Sequence, residues 1–297
     1  MREFRSRSIL CLCILSTLFL LFMSPISSTA QLELDDLAGV RVAIYNGNGV
    51  MGSSRIALTR MYEWMNATVA NITASEILAD QLSQYDIFVI PGGSEGTAST
   101  ELDSDGKQKI KDFVAGGGSY FGICGGSTFG VTYLRLFNGF ISPVDEPGLI
   151  IHSTLMHVNL SSTGPDLSNL TENFTTMYYN SQYFSPRYGF ESSIQTIATY
   201  ESNGRAGMIA FPYGNGTVFL SSPHPEYEED DDRDDTTFGD DLTDPDSEWE
   251  LMFRVSKWLV ETSYVESPND FTLIAVVSSG GIIAVLAVAV LYRRVHR

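Results

Sequence analysis

Three short apolar runs in the first half of the chain each end in a glycine-rich loop. They are residues 40–45 before Asn-Gly-Asn-Gly, residues 85–90 before Pro-Gly-Gly, and residues 119–123 before Cys-Gly-Gly. Short apolar strands that alternate with helical segments are typical of a parallel sheet covered on both faces. Because the carboxyl ends of parallel strands lie along one edge, we expect the three loops on the same rim.

The segments between these runs have the apolar spacing of helices. Residues 53–66 predict a helix with Ser53 or Ser54 as its N-cap, and residues 103–118 predict a helix closed by glycine. The second half predicts further strands, with a hairpin turn at residues 214–216. Residues 247–264 predict a last amphipathic helix that covers the core.

Cys124 is the one cysteine outside the first thirteen residues. It stands in Gly-Ile-Cys-Gly-Gly, where a predicted strand gives way to a helix. A tight turn of this kind presents a side chain at the top of a sheet, and flanking glycines leave the room it needs. A helix N-terminus favours the thiolate. The motif alone leaves two interpretations open, an activated nucleophile and a buried inert thiol.

Three of the four histidines are candidates for a general base: His152, His157 and His224. His224 follows a predicted strand in Ser-Pro-His-Pro-Glu, and Glu226 stands where it can orient the imidazole. His152 and His157 fall inside another predicted strand, so we expect them to be ordinary strand residues.

The order and spacing of Pro-Gly-Gly at residues 91–93, Gly-Ile-Cys-Gly-Gly at 122–126 and Ser-Pro-His-Pro-Glu at 222–226 resemble the class I glutamine amidotransferase-like superfamily. The segments YNGNGV, from residue 45, and MYYNSQYF, from residue 177, resemble its biotin–protein ligase N-terminal-like branch. The resemblance implies an α/β fold, a flavodoxin-like three-layer α/β/α sandwich with a mainly parallel sheet.

The same resemblance implies roles for individual residues. Cys124 is the expected nucleophile, His224 the base and Glu226 the residue that orients it. The backbone N–H groups of Gly93 and Gly125 are expected to form an oxyanion hole. The candidate residues of the substrate pocket are Asn46, Gly47, Tyr179 and Asn180.

The sequence departs from the pattern of glutamine-using members. Thr128 stands where they carry glutamine, and Gly125 stands where the protease relatives have histidine after the cysteine. We therefore expect a thiol hydrolase or transferase that acts on an amide or related acyl bond of a small molecule or peptide. The alternative is a catalytically inactive, tethered ligand-binding or sensor domain on the same fold.

The two ends of the chain predict a membrane protein. Residues 1–30 have the basic, apolar and small-residue order of a signal peptide, although an uncleaved anchor is the alternative. Residues 271–292 are uncharged and long enough for a transmembrane helix, and the basic residues in the tail, 293–297, indicate its cytoplasmic side. Residues 31–265 are then an ectodomain outside a single-pass cell-membrane anchor. Sequons support a glycoprotein, at Asn66, Asn71, Asn159, Asn169, Asn173 and Asn215.

The formal net charge of −18 argues against nucleic acid as a partner. Much of this charge lies in an acidic insertion, residues 226–248, which we expect to be solvated and mobile. Asp230, Asp232 and Asp234 alternate like the start of a calcium loop, but the turn glycine of such loops is missing. We expect no cofactor, with calcium at this insertion as the alternative.

Overall fold

The computed structural model describes residues 35–144, 150–228 and 232–263. The predicted signal peptide, transmembrane helix and cytoplasmic tail lie outside these residues. Among the helices described, none is long and apolar enough to cross a membrane.

Strands and helices alternate through the first half, and strands dominate the second half. The strands are β1 (Arg41–Tyr45), β2 (Thr68–Ile72), β3 (Ile87–Ile90), β4 (Ser119–Ile123), β5 (Gly139–Pro143), β6 (Ile151–Val158), β7 (Asn173–Tyr179), β8 (Gln182–Pro186), β9 (Gln195–Tyr200), β10 (Ala206–Tyr213) and β11 (Gly216–Ser221). The helices are α1 (Gly52–Trp64), α2 (Ala74–Leu78), α3 (Glu95–Ala115), α4 (Gly125–Thr132) and α5 (Trp249–Ser263). Short 3-10 turns lie at Gln81–Gln84, Glu191–Ser193 and Asp232–Asp234.

The sheet has the strand order β2-β1-β3-β4-β11-β10-β9-β6-β7, while β5 pairs with β8 and β8 with β10. Pairing is parallel from β2 to β11. It is antiparallel from β11 to β7 because the hairpin at Gly214 turns the chain back beside β11. The expected α/β fold with a parallel core is therefore confirmed, but the expectation of a mainly parallel sheet holds only for the core.

Helices cover both faces of the parallel core. Alternate residues of β1 point to opposite faces, so Val42 and Ile44 join one buried cluster and Ala43 and Tyr45 the other. The first cluster contains buried residues of α1 and α5, among them Tyr62 and Trp249. The second contains buried residues of α2, α3 and α4. The predicted last helix thus buries its apolar side against the core, as expected.

Several elements differ from the sequence-based expectations. β2 was not expected, because it is a half-exposed edge strand without an apolar run. α3 begins at Glu95, eight residues before the predicted start, and its backbone breaks at Asp103, where φ is 46°. Ser53 and Ser54 are not N-caps, because α1 begins at Gly52.

The described part of the acidic insertion, residues 226–228 and 232–248, is solvated in part. Asp235, Asp240, Asp241 and Asp246 are exposed. Asp234, Asp244 and Glu248 are buried. The Asp234 carboxylate accepts hydrogen bonds from the backbone N–H groups of Thr236 and Glu228. Within the described residues no group of three or more His, Cys, Asp or Glu is arranged to hold a metal ion. Asp230, the first residue of the candidate calcium loop, lies outside them.

Candidate active site

Cys124 occupies a strained turn between β4 and α4. Its φ of 49° and ψ of −111° are unfavourable for a residue with a side chain, at about 1–3 kcal/mol. Hydrogen bonds on both sides hold this conformation. The Cys124 N–H donates to Ser221 O of β11 at 2.8 Å, and Thr128 N–H donates to Cys124 O at 3.0 Å. The turn therefore presents the thiol at the carboxyl end of the parallel core.

The three glycine-rich loops meet at this turn, on one rim as the sequence predicts. A Cβ atom on Gly125 would overlap the carbonyl of Gly93, and one on Gly93 would overlap the carbonyl of Gly49. Gly93 also has a φ of 142°, which side chains rarely adopt. These positions need glycine because three backbone segments approach closely. The approach brings Gly93 and Gly125 together with Cys124 in the lining of one cavity.

His224 and Glu226 form a buried pair beside the turn. The imidazole Nδ1–H donates to Glu226 Oε1 at 2.9 Å, and both side chains are fully buried. The backbone N–H of His224 donates to Met177 O at 3.0 Å, so the end of β7 positions the histidine after β11. This places Cys124, His224 and Glu226, which are distant in the sequence, in one cluster.

A serine of α1 extends this pair. Ser54 Oγ–H donates to Glu226 Oε1 at 2.6 Å, and Gly92 N–H donates to Ser54 Oγ at 2.9 Å. A Cβ on Gly92 would lie 2.7 Å from His224 Cε1, so the Pro-Gly-Gly loop also packs on the imidazole. Sequence reasoning missed Ser54, because no local pattern connects a residue of the first helix with a carboxylate after the last strand.

The pKa values of Cys124 and His224 shift in opposite directions. Burial has the largest effect on Cys124 and by itself raises its pKa, but the charge of His224 and N–H contacts from His224 and Gly125 outweigh it. The pKa of Cys124 is therefore lowered. For His224, burial is again the largest effect and lowers its pKa, but the charges of Glu226 and Cys124 raise it well above the ordinary value. The cluster thus favours a thiolate beside an imidazolium.

A cavity of about 440 Å³ opens onto the thiol. Its lining includes Cys124, Gly93, Gly125, Tyr179 and Asn180. The other two candidate pocket residues do not line it: Asn46 and Gly47. Asn46 N–H continues the ladder to Ile72 O at 2.9 Å, and Gly47 packs against Tyr45 and Glu101 on the far side of the first loop.

Aromatic rings surround the imidazole of His224. The Tyr179 ring centroid lies 6.1 Å and the Tyr227 centroid 5.6 Å from that of His224. Phe238, from the acidic insertion, packs on both tyrosines, at 6.2 Å and 5.3 Å. The insertion therefore packs beside His224 through its aromatic rings, although none of its described residues lines the cavity, and its sequence of carboxylates did not indicate this packing.

The remaining histidine candidates lie elsewhere, on β6. The ring of His152 stacks on Tyr178, with centroids 4.5 Å apart, and His157 contacts Asn173. Both are ordinary strand residues, as expected.

Comparison with known proteins connects this site with one family. A family model described as the N-terminal part of biotin-protein ligase matches residues 40–140, which contain β1 to β4 and the Cys124 turn. A biotin–protein ligase of Schizosaccharomyces pombe is 24% identical in an alignment of 218 residues, gaps included, that covers 63% of this chain and 33% of that protein. The chain thus spans about a third of the length of this curated relative.

Solved structures show more distant similarities. PurLQS from Thermotoga maritima is 16% identical, with a TM-score of 0.49, over 67% of this chain and 93% of that chain. A glutamine amidotransferase from Thermotoga maritima is 13% identical, with a TM-score of 0.48, over 76% of this chain and 90% of that chain. At these TM-scores the similarities carry no argument about activity. The family match, which includes the Cys124 turn, confirms the predicted resemblance to the N-terminal part of biotin–protein ligases.

Proposed function

We propose that this chain is a cysteine hydrolase or transferase of the amidotransferase-like type that acts on an amide or related acyl bond. One observation carries the proposal. The strained Cys124 turn holds a thiol of lowered pKa beside an imidazole of raised pKa. Glu226 hydrogen-bonds to the Nδ1 of that imidazole, and Ser54 hydrogen-bonds to Glu226. A strained nucleophile, a base and a residue that orients the base are the parts that thiol-dependent acyl transfer needs.

The reaction follows from these parts. The Cys124 thiolate attacks the acyl carbon, and the N–H groups of Gly93 and Gly125 stabilise the oxyanion that forms. His224 gives its Nε2 proton to the leaving amine as the C–N bond breaks, which leaves a thioester on Cys124. His224 then takes a proton from water, or from an acceptor, whose oxygen or nitrogen displaces the thiol. Glu226 orients His224 throughout and stabilises it in each state in which it is an imidazolium.

We do not propose that the chain uses glutamine as the nitrogen donor of a synthetase. Thr128, which stands where glutamine-using relatives carry glutamine, lines the cavity, and its hydroxyl donates to Gln182 Oε1 at 3.4 Å. The cavity therefore differs from the pattern of those relatives at a position beside the nucleophile. The activity of the whole biotin–protein ligase relative is also left aside, because the match covers a third of it.

A second candidate is a tethered ligand-binding domain without turnover. One observation favours it: buried His224 Nε2 makes no hydrogen bond of good geometry within the described residues, although it lies near enough to Cys124 to affect its pKa. Hydrogen bonds of catalytic groups are often poorly aligned without substrate and become shorter when it binds. We therefore prefer the enzyme.

Alkylation of Cys124 as a function of pH separates the two candidates. The full chain is treated with iodoacetamide, and the rate is measured by mass spectrometry on the peptide that contains Cys124. We expect a thiolate below pH 8 in the wild type and a higher midpoint in His224→Ala. A wild-type thiol that titrates near its ordinary pKa of about 8.5 would contradict the enzyme and support the binding domain.

The placement outside a single-pass cell-membrane anchor is also a proposal. It is supported by the basic, apolar and small-residue order of residues 1–30 and by the apolar run 271–292 with its basic flank. The exposure of most sequons agrees with it. Protease treatment of intact cells tests it, since a tag inserted between residues 30 and 35, after the predicted signal peptide, would be removed only if that part of the chain is outside.

A further inference from the structure

The cavity at Cys124 has an unequal distribution of charge. Apart from the thiol itself, its lining contains one charged side chain, Glu95, and includes neither arginine nor lysine. The other side chains that line it nearby are neutral and polar, among them Tyr179, Asn180 and Gln182. A ligand in this cavity therefore meets one carboxylate and no fixed cation on the described walls.

Glu95 is the first residue of α3, and its carboxylate is partly exposed. A carboxylate in a first helical turn interacts favourably with the helix dipole, so a purely structural role is the alternative. Ser94 already caps this helix, because its Oγ accepts the N–H of Thr97 at 3.4 Å. No hydrogen bond or ion pair to the Glu95 carboxylate occurs among the described residues. The carboxylate is thus available to a ligand.

The ionisable groups near the thiol do not give the cavity a net positive charge. With Cys124 as thiolate and His224 as imidazolium, the positive charge of His224 is balanced by the charge of Cys124, and Glu226 adds no positive charge. Arg233 of the acidic insertion is paired with Glu228 and Arg60 of α1 with Asp235. Arg55 of α1 does not line the cavity, and its guanidinium donates to Asn71 Oδ1 at 3.3 Å. The whole chain carries a net charge of −18, so its long-range field also attracts cations.

From this charge distribution we propose that the substrate carries a cationic group, an ammonium or a guanidinium, near its reactive acyl bond, and that Glu95 binds that group. The inference rests on the proposed function of Cys124 and names the substrate class of that site. The aromatic ring of Tyr179, on the same cavity, offers a second favourable surface to a cation. A substrate with a carboxylate at this position is disfavoured by like charge.

The charge preference of the cavity is measurable without knowing the substrate. Three methanethiosulfonates transfer groups of different charge to a thiol: cationic 2-(trimethylammonium)ethyl, neutral methyl and anionic 2-sulfonatoethyl. The full chain reacts with each at low ionic strength, and the rate is read on the Cys124 peptide. We expect the cation-to-anion rate ratio to exceed that of free mercaptoethanol, and to fall about tenfold in Glu95→Gln, as loss of one nearby charge predicts.

Two variants serve as controls. Glu201→Gln removes an exposed carboxylate that does not line the cavity, so the ratio should stay at the wild-type value. Glu95→Asp keeps the charge and should retain most of the preference. A merely structural Glu95 would leave the ratio unchanged in all three variants.

The neutral reagent separates failure of this inference from failure of the proposed function. If the neutral reagent reacts as with a thiol of lowered pKa, but the charge ratio equals that of mercaptoethanol or is unchanged in Glu95→Gln, the inference is overturned and the cysteine enzyme stands. If the neutral reagent reacts as with an ordinary thiol, the proposed function is overturned, and the substrate class with it.

Discussion

Ser54 Oγ lies 2.6 Å from Glu226 Oε1, although 172 residues separate the two in the sequence. The hydrogen bond connects the first turn of α1 with the segment that follows β11. It also places the hydroxyl between the Pro-Gly-Gly loop and the carboxylate, because Ser54 Oγ accepts the Gly92 N–H. A single hydroxyl therefore fixes both the loop of the proposed oxyanion hole and the residue that orients the base.

We expect Ser54→Ala to destabilise the fold by about 1–3 kcal/mol, because it leaves a buried N–H and a buried carboxylate without this partner. It should also raise the pH midpoint of Cys124 alkylation, since Glu226 loses its fixed position. Urea unfolding and alkylation of the full chain measure the two effects. Ser53→Ala is the matched control, because Ser53 bonds to the Tyr227 hydroxyl instead. An equal pH midpoint of Cys124 alkylation in Ser54→Ala and in the wild type would contradict the role of Ser54 in positioning Glu226.

Glu226→Gln should reduce the reactivity of Cys124 near neutral pH. Glu226 is the largest of the influences that raise the pKa of His224, so its neutralisation should lower that pKa. With a less positive imidazole, the pKa of Cys124 should rise. The charge of Glu226 by itself raises the pKa of Cys124, but the charge of His224 is the larger influence, so its loss decides the sign. The alkylation midpoint then moves to higher pH, while the rate at high pH stays similar. An unchanged midpoint would show that Glu226 does not act on the thiol through His224.

The raised pKa of His224 also predicts how stability depends on pH. A group whose pKa is raised by folding stabilises the fold fully below its unfolded pKa, about 6.5, and loses this contribution as pH rises through the folded value. In the chain that retains Cys124, His224→Gln should therefore cost most below pH 6.5. The difference in melting temperature should shrink as pH rises. A difference that grows with pH would contradict a histidine stabilised as imidazolium.

Gly93→Ala should destabilise the fold by about 2–4 kcal/mol and slow Cys124 acylation, because a Cβ there overlaps Gly49 O and the φ of 142° is strained. Gly52→Ala is the matched control. A Cβ on Gly52, at the start of α1, meets no atom within 4 Å, so this change should be neutral or slightly stabilising. Similar unfolding midpoints for the two variants would contradict the close approach of the loops.

Glycosylation should follow the exposure of the sequons. Five asparagines are exposed: Asn66, Asn71, Asn169, Asn173 and Asn215. Asn159 is half-buried, and its Nδ2 donates to Thr196 O at 2.9 Å. After expression through a secretory pathway, peptide mass spectrometry before and after enzymatic deglycosylation should find glycans at some of the five and none at Asn159. Unmodified asparagines at all six would contradict the proposed placement outside the cell.

The sequence predicted the parts of the fold that depend on local pattern. The apolar runs before the three glycine-rich loops identified β1, β3 and β4, and the Gly-Ile-Cys-Gly-Gly turn identified Cys124. The half-exposed strand β2 has no such run and was missed. The exposed carboxylates of the acidic insertion agree with its sequence, but a run of carboxylates says nothing of the contact between Phe238 and Tyr227. Asn46 was predicted to line the pocket because it begins a glycine-rich loop that does reach the rim of the site. Its own backbone N–H instead continues the hydrogen-bond ladder between β1 and β2.

The order of the site along the chain has a consequence for biosynthesis. Cys124 precedes His224 by a hundred residues, and the strand that pairs with β4 and carries the chain to His224 is β11, the last of the sheet. A chain still on the ribosome has its thiol in place, but neither the imidazole nor the hydrogen bond from Cys124 N–H to Ser221 O. Until the C-terminal half has folded, Cys124 therefore behaves as an ordinary cysteine. A nucleophile assembled this late has the reactivity of an ordinary thiol during synthesis and is activated only when the sheet is complete.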